Sequence, residues 1–73
     1  MTYTVIKSEN YNVEIGEVKT LDEAVTLIND FNSKSRFPVE NMEFEFDDKD
    51  DGLDAFGSVS GRLITFHTIK KAA

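Results

Sequence analysis

No cysteine occurs anywhere in the 73 residues, which excludes both a disulfide framework and a thiolate zinc site. Small secreted domains generally rely on disulfides, so the absence points to a reducing cytoplasm and leaves stability to the apolar core or to a partner. No apolar run approaches the roughly 18 residues that would span a bilayer. The opening MTYTVIKSEN lacks the cationic start and apolar centre of a signal peptide, and the chain reads as soluble and cytoplasmic. There are no internal repeats, linkers or glycine-rich phosphate loops. A chain this short buries only about 60% of its unfolded surface, so residues 1–73 make one small domain in which each buried side chain matters.

Basic residues are also scarce. Eight lysines and arginines face fourteen acids, a net charge of −6, which argues against direct contact with nucleic acid or anionic lipid because both attract cations. The imbalance is local. Glu40, Glu43, Glu45, Asp47, Asp48, Asp50, Asp51 and Asp54 stand against Lys49 alone, a net of −7, while the rest of the chain carries +1.

The remaining pattern predicts an α+β fold. TYTVIKS and YNVEIGEV alternate and read as a hairpin turning near Ser8 to Tyr11. Thr20 followed by Glu23 forms a capping box ahead of LDEAVTLINDFN, and Leu21, Ala24, Val25, Ile28 and Phe31 make one helical stripe. The helix is expected to fray through Asn32 to Ser35, and Pro38 holds Phe37 extended. NMEFEFD alternates strictly, with Met42, Phe44 and Phe46 on one face and Glu43, Glu45 and Asp47 on the other. Leu53, Ala55 and Phe56 read as a short helical turn or a lid after the loop DDKDDG. SVSGRLITFHTIKK reads as one long interior strand bent at Gly61. The expected architecture is β-β-α-β-β, a four-stranded, mainly antiparallel sheet with one helix packed across one face. The opposite face, carrying Ile6, has no evident cover.

Catalytic patterns are weak. His67, the only histidine, falls inside the last strand with no carboxylate placed beside it by the local sequence. The segment GSVSG has the glycine-serine-glycine spacing of a nucleophile elbow, but its glycines lead into a strand and not a helix. Paired carboxylates do acid-base work in clefts, which a sheet with one helix scarcely provides. Aligned on a calcium loop with Gly52 at the turn, Lys49 and Ser58 occupy ligand positions, so the loop is not an EF-hand. Irregular calcium binding by Asp47, Asp48, Asp50 and Asp51 is a weaker alternative. No enzyme, cofactor or metal site is expected.

The acidic segment is the remaining feature. On a strand, alternate residues lie about 6.8 Å apart, so Glu43, Glu45 and Asp47 form a regular negative row. Duplex DNA carries a charge about every 1.7 Å, so imitation of its backbone would also need Asp48, Asp50, Asp51 and Asp54, with Asp22 or Asp30 alongside. These residues suggest a non-enzymatic inhibitor that occupies the cationic groove of a nucleic-acid-binding protein. In type it is similar to the short, acidic, cysteine-free inhibitors of restriction or CRISPR machinery encoded by phages and plasmids. Two plainer readings stand beside it. The charge keeps an exposed strand from aggregating, or the bare sheet face or a strand edge serves as an assembly surface, joining a second copy or a larger protein.

Overall fold

The helix begins where the capping box places it. Thr20 is extended, its hydroxyl accepts from the Glu23 backbone N–H at 3.1 Å, and the Glu23 carboxylate accepts from the Lys19 N–H at 3.2 Å. Two otherwise orphaned donors at the helix start are thereby satisfied. The computed structural model describes residues 2–8, 11–47 and 52–71. Its elements are β1 (Thr2–Ser8), β2 (Asn12–Val18), α1 (Leu21–Ser33), β3 (Glu40–Asp47), β4 (Gly52–Val59) and β5 (Arg62–Lys71). Among the described residues, no helix is long and apolar enough to cross a membrane.

The five strands form a single antiparallel sheet in the order β2-β1-β5-β4-β3. This corrects the four-stranded expectation while keeping the α+β class. The missing strand is β4, which contains the Leu53–Phe56 segment expected to be a helical turn or lid. The expected single strand from Ser58 to Lys71 is instead the end of β4, a turn at Ser60 and Gly61, and β5. Val59 pairs with Arg62 across that turn, and both turn residues have positive φ, 52° and 79°. That combination matches the twist of a tight hairpin, and Gly61 adopts it without steric cost.

One face of the sheet is covered by α1. Ala24 and Ile28 are completely buried against Val5, Leu53, Ala55, Ile64 and Phe66, and the Phe31 ring meets Phe66 edge-on with centroids 6.3 Å apart. Such large apolar side chains contribute about 2–5 kcal/mol each when fully buried in a well-packed core. The helix lies over β1, β2, β4 and β5, most closely over β2. On the β3 side, Phe46 remains 53% exposed.

The chain returns from α1 to β3 through a side-chain clamp. Asn32 donates to the Val39 carbonyl at 3.2 Å and accepts from the Val39 N–H at 2.7 Å, acting as a short substitute for a neighbouring strand. Val39 is buried by this clamp and sits over Gly57. A Cβ on Gly57 would lie 2.5 Å from Val39 Cγ1 and 2.6 Å from the Glu40 carbonyl oxygen. Just beyond, Asn41 takes φ 57° where the β3–β4 register slips between Glu40 and Glu43, the mark of a bulge.

Gly57→Ala should therefore cost about 1–3 kcal/mol through overpacking against backbone. Gly61→Ala meets nothing within 4 Å and should lose only the left-handed backbone penalty of about 1–2 kcal/mol. Urea unfolding of both variants tests this, and a Gly61→Ala loss exceeding that of Gly57→Ala would contradict it.

Candidate functional site

Cross-strand register determines which side chains share the face turned away from α1. In an antiparallel sheet, directly paired residues point the same way and successive residues alternate. Three rows follow from the pairings. The first is Glu17, Thr4, Ile69, Gly52 and Asp47; the second is Glu14, Ile6, His67, Asp54 and Glu45; the third is Asn12, Ser8, Thr65, Phe56 and Glu43. At about 4.8 Å per strand, each row runs about 19 Å from edge to edge.

The face has acidic margins and a mixed centre. Glu43, Glu45 and Asp47 line the β3 margin, all exposed, with Asp54 one strand inward beside Glu45. Glu14 and Glu17 line the β2 margin. Thr4, buried between Glu17 and Ile69, donates its hydroxyl to Glu17 Oε1 at 3.5 Å. Between the margins lie Ile6, Phe56, Leu63 and Ile69, of which Leu63 is 67% and Ile69 51% exposed. No lysine or arginine is present among the described side chains of the three rows.

Four of the seven sequence-predicted contact residues are thus brought together: Glu43, Glu45, Asp47 and Asp54. Asp48, Asp50 and Asp51 lie outside the described residues. Asp22 and Asp30 belong to α1, on the opposite side of the sheet, and Asp30 is paired with Lys34 at 3.1 Å. They do not extend the acidic face. Glu14 and Glu17 were not anticipated as part of it. Their signal was the alternation in YNVEIGEV, which becomes informative only once β2 is known to share a sheet with β3.

The centre of the second row holds a polar pair. His67 Nδ1 lies 2.9 Å from Asp54 Oδ1, and Thr65 Oγ1 lies 3.4 Å from His67 Nε2. The expectation that His67 has no carboxylate beside it is corrected here. The partner comes from β4, the strand that the local sequence pattern concealed. Since a carboxylate only accepts, Nδ1 carries the proton, and in the neutral ring the Thr65 hydroxyl donates to Nε2. Beside this pair the first row has no side chain at its β4 position, where Gly52 pairs with Asp47. Here lies an open cleft of about 470 Å³ lined by Asp47, Leu53, Asp54, His67, Thr68, Ile69 and the cationic Lys70. No group of three or more potential metal-binding side chains occurs among the described residues.

Comparisons with protein-family models, with curated proteins and with solved structures found no match.

The His67–Asp54 arrangement predicts that nitrogen NMR of the neutral imidazole finds the proton on Nδ1. Asp54→Ala should move the population toward the Nε2–H form. The side chains are 45% and 55% exposed, so the same substitution should change stability by less than about 1 kcal/mol. An Nε2–H ring in the unsubstituted protein would contradict the arrangement.

Proposed function

We propose that the protein is a non-catalytic cytoplasmic inhibitor whose open sheet face occupies the basic surface of a nucleic-acid-binding protein and competes with DNA or RNA. The observation that carries this reading is the gathering of Glu43, Glu45, Asp47 and Asp54 at one margin and Glu14 and Glu17 at the other, along the two edges of one sheet face. The absence of cysteine suits a reducing compartment.

Magnitudes shape the proposal. Glu43 to Asp47 spans about 14 Å of strand with three carboxylates, whereas duplex DNA presents about eight phosphates over that length. Charge alone therefore matches a nucleic acid poorly. The apolar centre supplies the remainder: an exposed isoleucine or phenylalanine contributes about 1.5–3 kcal/mol when it becomes fully buried. Charge steers the encounter and selects a cationic partner, and apolar burial holds the complex.

A non-catalytic role fits the geometry around His67. Thr65, His67 and Asp54 supply a hydroxyl, an imidazole and a carboxylate in sequence, but acyl transfer also needs donors aimed at the developing oxyanion. Both β4 and β5 are interior strands, so their backbone N–H groups are committed to the ladder.

A second reading, self-association through the same face, is favoured by the exposure of Leu63 and Ile69. It would bring two sets of acidic margins into proximity, so sedimentation should show association that strengthens with salt. A partner held by charge shows the reverse dependence.

The test is an affinity capture from host lysate with immobilised protein and with its Glu43→Lys, Glu45→Lys, Asp47→Lys variant. The expected result is that bound proteins elute with added salt and with duplex DNA, and are lost from the variant. Equal capture by the variant, insensitive to salt and DNA, would overturn the proposal.

A further inference from the structure

We infer that the outer edge of β3 takes up an extended segment of the basic partner as a sixth strand, one in which lysine or arginine alternates with apolar residues. This rests on the reading that the acidic margin faces a cationic protein, and adds the form in which the cations arrive.

Three observations converge on this edge. First, β3 is the last strand of the sheet, so alternate backbone N–H and C=O groups along it point outward, where an added strand can pair with them. Second, its two faces differ in chemistry with a period of two residues. Glu43, Glu45 and Asp47 point to the open face, while Phe44 and Phe46 point to the helix side, where Phe46 stays 53% exposed because α1 lies over the other strands. Third, the bulge at Asn41 interrupts regular geometry at the start of the strand, which confines clean pairing to Glu43–Asp47.

These features also select the occupant. A second copy pairing antiparallel through β3 would set the row of Glu43, Glu45 and Asp47 against itself, and like charges in cross-strand contact are destabilising. A strand alternating basic and apolar residues meets both faces at once: its cations lie beside the carboxylates and its apolar side chains beside Phe44 and Phe46. The β2 edge does not offer the same register, because the β1–β2 pairing slips between Val5 and Ile6 and leaves Ile15 as an extra residue midway along it.

Two capped peptides of identical composition test the inference, one alternating four lysines with three valines, the other with the lysines and valines in separate blocks. Each is titrated into the labelled protein at low salt and followed by amide NMR. The alternating peptide should bind about tenfold more tightly, the gain expected from a few favourable cross-strand pairs, and should move the amides of Glu43–Asp47 most. The Glu43→Lys, Glu45→Lys variant should reverse the preference, taking a peptide that alternates glutamate with valine. Equal affinity for both lysine peptides would overturn strand addition while leaving the basic-partner reading intact. Shifts centred on β2 would overturn the choice of edge, and no binding by either peptide would overturn both readings.

Discussion

One helix must cover a sheet of five strands, and it is wide enough to seal only one side. Every large, fully buried side chain follows from that contact: Ile28 from the helix, with Val5, Leu53, Ile64 and Phe66 from the sheet. Close approach is built into the backbone at Gly16, where an added Cβ would sit 2.9 Å from Leu27, and at Gly57 beneath Val39. With most of the apolar supply of a small chain committed to this face, the opposite one receives Glu14, Glu17, Glu43, Glu45, Asp47 and Asp54, together with Thr4, Thr65, His67 and a few apolar residues. The mixed polar and apolar character of the open face is therefore a consequence of one-sided packing.

That surface is ordered by register. Strand pairing brings Asp54 beside Glu45 on one side and His67 on the other, and it places Gly52 so that a cleft opens next to Asp47. The margins are anionic and the centre is part apolar, and the proposed role gives these two parts different work: long-range charge at the margins would steer a cation-rich partner, and burial at the centre would hold it. Phe46, on the other side of β3, extends the apolar contribution past the limit of the helix.

Much of the local structure was legible in the sequence, and the reasons are specific. The helix carried a capping box and a full apolar stripe, and β3 alternated without a fault, so both were readable from periodicity alone. β4 was not. Its residues Leu53, Asp54, Ala55 and Phe56 place an aromatic on the open face where alternation calls for a polar residue, and the strand follows directly on a run of acids. The turn into β5 was hidden because Ser60, with a φ of 52°, is not a residue that ordinarily announces a left-handed conformation. Losing β4 also concealed the Asp54 partner of His67. The acidity of Glu43, Glu45, Asp47 and Asp54 was evident from composition, but their union with Glu14 and Glu17 on one face depends on the order β2-β1-β5-β4-β3, which local pattern does not encode.

The central claim is that negative potential is concentrated on the face opposite the helix. Paramagnetic relaxation of backbone amides by a cationic and an anionic nitroxide, compared residue by residue, reads that potential directly. The account predicts the strongest cation enrichment at Glu43–Asp47, Asp54 and His67, with a weaker maximum at Glu14 and Glu17 and little at the exposed side of α1. Equal enrichment over Asp22, Asp30 and the sheet face would contradict it.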